Sequence, residues 1–176
     1  APHAYAGTAR DLVLAFKNGR PELGRLMADA MMADAGLLAA PGVLVCPVPL
    51  HWSRLWRRGY NQAALLSKRI ADVLGAEHRV DLVRRTRRTR PTQGMTAASR
   101  RANVQGAFAI SAADAGRLAG RPVLLVDDVL TTGATAGEIS RRLARAGAAS
   151  VDVLTFARVA REELPSYVSR SGGEAQ

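Results

Sequence analysis

Residues 123–135 constrain the fold of this chain more than any other segment. They run Val-Leu-Leu-Val-Asp-Asp-Val-Leu-Thr-Thr-Gly-Ala-Thr. The four apolar residues are typical of a fully buried strand, and the threonine and glycine loop after them leads into a helix. In an open parallel sheet, ligands bind just beyond the carboxyl ends of the strands. We therefore expect Asp127, Asp128 and the loop after them to line a binding site.

The loop of Thr131, Thr132, Gly133, Ala134 and Thr135 has the groups that hold a phosphate monoester. A helix start offers free backbone N–H groups, and its dipole stabilises an anion by about 0.3–1 kcal/mol, or about 2 kcal/mol when the site is partly buried. Two carboxylates beside a phosphate would repel it, unless they bind vicinal hydroxyls or a divalent cation between them. Because a ribose 5-phosphate carries the diol and the phosphate on one scaffold, the pattern predicts a sugar-phosphate site.

The same residues also have a purely structural interpretation. Thr135 and Glu138 have the spacing of a capping box, in which each side chain bonds a free backbone N–H group at the start of a helix. Thr135 would then be a helix cap and not a ligand. Capping explains neither the acidic pair nor the two threonines before Gly133, so the phosphate-binding interpretation is preferred.

The order of these residues resembles the 5-phosphoribosyl-1-diphosphate (PRPP) motif of type I phosphoribosyltransferases. The resemblance implies that Asp127 and Asp128 are the catalytic pair and hold the ribose 2- and 3-hydroxyls, and that Thr131 to Thr135 hold the 5-phosphate. It also implies that Mg²⁺ is bound largely by oxygens of the substrate. Purine-salvage relatives have an aspartate at the position of Thr131, so the acceptor stays open between ammonia or an amine, a pyrimidine-type acceptor, and no catalysis at all.

An arginine-rich segment, residues 47–62, follows another predicted strand. By position it resembles the diphosphate-binding loop of the family, which would make Arg57 and Arg58 substrate-binding residues. The alternative is a solvated helix face of arginines with Trp52 and Trp56 packed beneath it.

The stretch from Arg84 to Arg101 is also basic and contains no acidic residue. It shows no clear apolar period, and we expect it to be mobile. Members of the resembled family have a flexible hood here, residues 84–105 in this chain, which closes over the diphosphate; Arg90 is its candidate substrate-binding residue. The alternative is a basic loop that binds single-stranded nucleic acid, with bases stacked on Tyr60 or an exposed tryptophan.

These segments narrow the resemblance to the competence-protein ComF branch of the phosphoribosyltransferases. Residues 58–62, 89–93 and 100–108 carry it together with the PRPP motif. It implies an active transferase or, alternatively, a PRPP-sensing or single-stranded-DNA-binding accessory factor in DNA uptake or processing. Typical members have a four-cysteine zinc module, which Cys46 alone cannot form. Relatives are often dimers, so the resemblance suggests a homodimer, although no feature of the sequence fixes an interface.

Apolar runs alternate with helical spacing along the chain, which predicts an α/β fold: a parallel sheet of the type I phosphoribosyltransferase kind with helices on both faces. The predicted strands comprise residues 43–46, 80–83, 108–110, 123–126 and 151–156, and the predicted helices comprise residues 22–38, 63–74 and 136–146. We expect residues 1–168 to form one phosphoribosyltransferase domain and residues 169–176 to be a disordered tail.

The chain has 176 residues and a net charge of +10, and all but two of its 25 basic residues are arginines. Such a surface attracts anions, so nucleic acid is a candidate partner, although an arginine bias also follows from genome composition. No apolar run approaches about 20 residues, and the first residues lack the pattern of a secretory signal. Cys46 is the single cysteine and is expected to be a small core residue. These features predict a cytoplasmic protein that does not enter a membrane.

Overall fold

The computed structural model describes residues 3–38, 40–90 and 95–159. The strands within them are β1 (His3–Ala4), β2 (Leu44–Pro47), β3 (Glu77–His78), β4 (Arg84–Arg85), β5 (Phe108–Ala109), β6 (Pro122–Leu130) and β7 (Ser150–Arg158). Five of them form one sheet in the order β1-β7-β6-β2-β3, in which every neighbouring pair is parallel. Strands β4 and β5 form a separate antiparallel pair.

The helices are α1 (Gly7–Lys17), α2 (Leu23–Leu38), α3 (Trp52–Arg58), α4 (Gln62–Leu74), α5 (Ala97–Val104), α6 (Ala112–Leu118) and α7 (Ala134–Arg145). The predicted end of α4 is confirmed, because Gly75 follows it in the left-handed conformation with φ 61°. The periodic segments that predicted α2 and α7 are also helical. Helices α1, α5 and α6 were not predicted from the sequence, and α3 confirms the helix of the alternative interpretation of residues 47–62.

Helices cover both faces of the sheet because the side chains of β6 alternate between two cores. Leu124 and Val126 pack in one core with residues of α1, α2 and α4. Val123 and Leu125 pack in the other core with residues of α5, α6 and α7. All four side chains are essentially fully buried. The predicted parallel α/β sheet with helices on both faces is confirmed.

The chain leaves the adjacent strands β2 and β6 in opposite directions. From β2 it passes through α3 and α4 to β3 on one side, and from β6 it passes through α7 to β7 on the other. Open α/β sheets bind their ligands where neighbouring strands diverge in this way. The two strands end close together, since Pro47 of β2 pairs with Val126, the residue before Asp127. The acidic pair therefore lies at the switch point of the sheet.

Some predicted strands differ from the structure. The strand predicted at residues 80–83 is wrong, because β3 and β4 lie on either side of that segment. Leu82 and Val83 are nevertheless buried in the second core, so their apolar pattern indicated burial and not strand pairing. Strand β5 pairs with β4 instead of joining the main sheet. Strand β6 runs on to Leu130, so the acidic pair lies within the strand and not beyond its end.

Cys46 is fully buried in β2, as predicted. Residues 160–168 of the predicted domain and the predicted tail, residues 169–176, lie outside the described residues. Among the residues that are described, no helix combines the length and the apolar character that crossing a membrane requires.

Candidate functional site

A cleft of about 70 Å³ opens beside the carboxyl end of β6, at the start of α7. It is lined by Arg100, Val104, Asp127, Val129, Leu130, Thr131, Thr132, Gly133, Ala134, Thr135 and Ala136. The structure therefore brings one acid of the predicted pair and all five predicted loop residues to a single cleft. Arg100, from α5, forms part of the opposite wall.

The start of α7 is set by Gly133, which has φ 73° in the left-handed region that favours glycine. Gly133 is the N-cap residue, and it provides no side-chain capping bond. The first N–H groups of a helix have no partner within the helix, so this end of α7 can donate to an anion in the cleft.

The capping-box interpretation is wrong. Thr135 lies inside the first turn of α7, one residue after Ala134 begins the helix. The Glu138 carboxylate does not bond the start of its own helix; it accepts hydrogen bonds from the Gly106 backbone N–H (3.1 Å), Arg141 (2.7 Å) and Arg142 (3.1 Å). The Glu138 carboxylate thus binds one distant backbone N–H group and two arginines of its own helix, and it does not cap that helix.

The two acids of the pair have different surroundings, because successive side chains of a strand point to opposite faces. Asp127 lines the cleft on the side of α7. Asp128 is 7% exposed, and its Oδ2 lies 2.9 Å from Nζ of Lys17, at the end of α1. The Asp128 backbone N–H donates to Oδ1 of Asp127 over 2.9 Å. Burial, followed by the nearby Asp128 charge, raises the pKa of Asp127, while the Lys17 charge acts in the opposite direction.

Two basic side chains that the predicted site residues did not include are Arg85, which lies near Asp127, and Arg54, which lies near Arg85. Burial lowers the pKa of Arg85 to about 10, Arg54 adds to the lowering, and Asp127 opposes it. The Arg85 guanidinium lies 5.3 Å from the centre of the Phe108 ring, and its buried Nε has no hydrogen-bond partner among the described residues. Arg54 is half-buried, and burial lowers its pKa together with the charges of neighbouring arginines.

The arginines predicted to bind substrate do not line the cleft. Arg57 is exposed, and Nη1 of Arg58 donates to the Gln62 side chain over 3.1 Å. Arg90 is exposed, and its backbone N–H and carbonyl both bond the Asn103 side chain, at 3.1 and 3.0 Å. Their role in binding the diphosphate stays a prediction.

The expectation that two tryptophans pack beneath the arginines of α3 is wrong. Trp52 is 67% exposed and Trp56 is 85% exposed. Tyr60 is instead half-buried, and its hydroxyl donates to the Phe16 carbonyl, so it does not offer a free ring for stacking. His51 is the buried N-cap of α3, and burial followed by the nearby arginine charges lowers its pKa.

The predicted hood contains regular structure at both ends. Strand β4 begins it, and α5 occupies residues 97–104, which the sequence showed as irregular. The Arg87 guanidinium donates to the carbonyls of Asn103 and Gln105, at 3.1 and 3.0 Å, so the two ends of the segment are joined. Residues 91–94 lie outside the described residues, and the mobility of the hood stays a prediction.

Comparison with known proteins indicates the family that the sequence resembles. The family model described as Phosphoribosyl transferase domain matches residues 57–172. Competence protein F of Haemophilus influenzae is 41% identical over 114 residues, which cover 65% of this chain and 49% of that protein. DNA utilization protein YhgH of Escherichia coli K12 is 38% identical over 114 residues, which cover 65% of this chain and 48% of that protein.

The chain thus spans about half the length of the curated relatives it matches. A solved structure, described as the allosteric regulatory enzyme of purine biosynthesis, superposes with a TM-score of 0.50 at 22% identity. That match covers 76% of this chain and 25% of the other, and it supports the fold alone. The predicted resemblance to the ComF branch is confirmed, and the family match covers well over half of the sequence. The chain belongs to the phosphoribosyl transferase domain family.

Proposed function

We propose that this chain binds PRPP with Mg²⁺ and transfers the phosphoribosyl group to a nitrogen acceptor, with release of diphosphate. The observation that carries the proposal is the shared cleft: Asp127 and the loop from Thr131 to Thr135 line the same space at the start of α7. A sugar phosphate needs acceptors for its hydroxyls and donors for its phosphate within one small site, and this cleft has both.

The 5-phosphate binds at the start of α7. This helix has 12 residues and no side-chain cap at Gly133, so its first N–H groups and its dipole are directed to an anion. Thr131, Thr132 and Thr135 add hydroxyl donors from the lining of the cleft. Together these groups recognise a phosphate monoester, and Arg100 in the lining of the cleft adds a positive charge.

The ribose binds above the end of β6. Asp127 and Asp128 accept hydrogen bonds from its 2- and 3-hydroxyls and hold C1 of the sugar towards the open side of the cleft. The acids do not attack the sugar themselves. Their contribution is orientation, which lowers the barrier because the reacting atoms no longer have to find each other by diffusion.

The residues at the site fit the expected magnesium ion. Among the described residues, no group of three or more His, Cys, Asp or Glu side chains is placed to hold a metal ion. Mg²⁺ commonly uses one or two carboxylates together with substrate phosphates, and the carboxylate of Asp127, which lines the cleft, provides such oxygens. When bound, the ion would neutralise charge on the departing diphosphate.

The leaving diphosphate is stabilised by arginines. Arg85 lies near Asp127 and Arg54 lies near Arg85, and neither arginine forms an ion pair within the described residues. Fixed guanidinium groups near the carbon–oxygen bond that breaks stabilise the negative charge that develops there. Arg57, Arg58 and Arg90 would add to this charge if the segments that carry them move towards the ligand.

The acceptor is a nitrogen nucleophile that brings its own reactivity. A threonine such as Thr131 cannot act as a general base near neutral pH, so the chain supplies no base at the position where purine-salvage relatives have an aspartate. This favours ammonia, an amine or a pyrimidine-type acceptor over a purine base.

A screen for diphosphate release tests the proposal. The chain is mixed with PRPP, Mg²⁺ and a panel of ammonia, amines, pyrimidines and purines, and diphosphate is measured. The double change Asp127→Asn with Asp128→Asn should abolish release, whereas Asp72→Asn, on the exposed side of α4, should not. If calorimetry shows no binding of PRPP to the unchanged chain with Mg²⁺ present, the proposal is wrong.

A second candidate function is the binding of single-stranded nucleic acid by an accessory factor. The observation that favours it is the exposure of Trp52 and Trp56 next to Arg54 and Arg57, because bases stack on exposed aromatic rings while arginines contact phosphates. The basic stretch from Arg84 to Arg101 would extend this surface. Its affinity should fall steeply with salt.

The two functions separate in a binding experiment with a labelled single-stranded oligonucleotide. Replacing Trp52 and Trp56 by alanine should weaken oligonucleotide binding by about tenfold, since stacking contributes about 1–3 kcal/mol per base. The same change should leave the affinity for PRPP intact. If the oligonucleotide affinity were the same before and after the change, the tryptophans would not take part in nucleic-acid binding.

A further inference from the structure

We propose that Lys17 is a positioning residue of the sugar-binding pair and acts through Asp128. The inference rests on the proposed function and names a residue of the same site. Its basis is the contact between Nζ of Lys17 and Oδ2 of Asp128, at 2.9 Å, in a place where both side chains are largely covered. Lys17 is one of two lysines in a chain whose other basic residues are arginines.

The backbone that carries Lys17 is fixed. Phe16 is fully buried in the core between α1 and the sheet, and its carbonyl accepts a hydrogen bond from the hydroxyl of Tyr60, which precedes α4. The Asn18 backbone N–H closes the end of α1 by donating to the Ala15 carbonyl. The ammonium group therefore reaches Asp128 from a rigid origin, unlike a lysine on a free surface.

Asp128 needs this partner. A buried carboxylate without a counter-charge is costly, and Asp128 is 7% exposed. Its side chain leaves β6 on the face of α1, whereas Asp127 leaves it on the face of the cleft. The lysine holds Oδ2, which leaves Oδ1 as the oxygen that can accept a ribose hydroxyl. With Lys17 in place, both acids can act on one diol although their side chains start on opposite faces.

The ammonium group also changes the charge that a phosphorylated ligand meets. Two ionised carboxylates would repel the phosphate groups of PRPP, and Lys17 offsets one of them. A cation already 2.9 Å from Oδ2 also disfavours a divalent ion on that oxygen. Lys17 thus biases Asp128 towards neutral hydroxyl donors, which is the recognition that the proposed sugar site needs.

Lys17 lies outside residues 57–172, which match the family model. The first helix of the chain therefore adds to the site a residue that the matched segment does not contain. No local motif marks it, and only the packing of α1 against the sheet brings it to the acidic pair.

The test compares two ligands by calorimetry on the whole chain: inorganic phosphate, which engages only the loop at α7, and ribose 5-phosphate, which also engages the acids. Lys17→Met should weaken ribose 5-phosphate binding by about tenfold and weaken the binding of inorganic phosphate much less. Lys17→Arg should restore most of the lost affinity. Lys68→Met is the matched control, because Lys68 pairs with Asp72 on an exposed helix face, and it should change neither affinity.

A cycle with Asp128→Asn tests whether Lys17 acts through that acid. In the Asp128→Asn background, Lys17→Met should cause no further loss of ribose 5-phosphate affinity. Should Lys17→Met fail to fold, Lys17→Gln replaces it with the same expected losses. The proposal is overturned if Lys17→Met binds ribose 5-phosphate with the same affinity as the unchanged chain. It is also overturned if the variant loses affinity for both ligands equally, because that would indicate a general structural role. If the unchanged chain binds inorganic phosphate but not ribose 5-phosphate or PRPP, the proposed function fails as well.

Discussion

The carboxylate of Glu138 accepts a hydrogen bond from the backbone N–H of Gly106 at 3.1 Å. This contact ties α7, which begins at the cleft, to the chain just after α5, which forms the opposite wall. Arg141 and Arg142 bond the same carboxylate. These donors, with Arg141 contributing most, hold the pKa of Glu138 at about 2, well below its usual value. The two walls of the cleft are thus joined through one ionised side chain.

Glu138→Gln should make the chain less stable, and the loss should depend on pH. Folding lowers the pKa of Glu138 from 4.5 to about 2. The stability that this ionised side chain adds is therefore complete above pH 4.5 and disappears as the pH falls towards 2. We expect the variant to lose about 1–2 kcal/mol of unfolding free energy at pH 7, with the difference shrinking below pH 4.5. Urea titrations at several pH values measure this. Glu22→Gln, which changes an exposed acid, should match the parent chain; a pH-independent difference for Glu138→Gln would contradict the assignment.

Gly133→Ala should reduce the affinity for phosphate in addition to lowering the stability of the fold. Gly133 has φ 73°, where an added Cβ is strained, and the strain falls on the loop that lines the cleft. Gly120→Ala is the matched control, because Gly120 has φ 72° and nothing within 4 Å of the added Cβ. Both variants should lose about 1 kcal/mol of stability. Only Gly133→Ala should reduce the affinity for inorganic phosphate, which calorimetry measures. If both variants bound phosphate with the same affinity, the loop would not be the phosphate site.

Arg54→Gln should weaken the binding of diphosphate and PRPP with Mg²⁺ by about tenfold, since a charge-assisted hydrogen bond would be lost. Arg57→Gln serves as the comparison, because Arg57 is on the same helix but exposed. Ribose 5-phosphate carries no diphosphate, so its affinity should stay the same in both variants. A competition assay with PRPP measures all three ligands. If Arg57→Gln lost affinity for diphosphate and PRPP while Arg54→Gln did not, Arg57 would be the diphosphate-binding residue, as the sequence predicted.

The thiol of Cys46 should be unreactive in the folded chain. Burial raises the pKa of Cys46 to about 12, so almost no thiolate exists near neutral pH, and the side chain is inaccessible in β2. A chromogenic disulfide reagent should react with one equivalent of thiol in urea and with almost none in native buffer. Fast labelling under native conditions would mean that β2, the strand next to the acidic pair, opens readily.

The central part of the fold could be predicted because its sequence is locally consistent. The apolar run before Asp127 is a strand, the periodic segment after Gly133 is a helix, and Gly75 ends α4 as expected. These signals depend on neighbours in the sequence, and tertiary packing reinforces them. The resemblance to the PRPP motif then indicated the family that the comparisons confirm.

Features that depend on distant partners could not be predicted in this way. Lys17 and Asp128 pair although they are far apart in the sequence, so no local pattern predicts their contact. Glu138 had the spacing of a helix cap, but its carboxylate accepts a hydrogen bond from the distant Gly106 backbone N–H. The tryptophans of α3 were expected beneath the arginines because large apolar side chains usually pack, yet this short helix buries none of its residues.

The divergence of β2 and β6 has an evolutionary consequence. The arginine-bearing segment that includes α3 and the loop that begins α7 are encoded far apart, and each follows its own strand. Substitutions in the α3 segment can therefore accumulate without disturbing the loop that we propose binds the phosphate. During evolution, related proteins could in this way change the acceptor, or lose catalysis and keep ligand binding, while the proposed sugar-phosphate site stays the same.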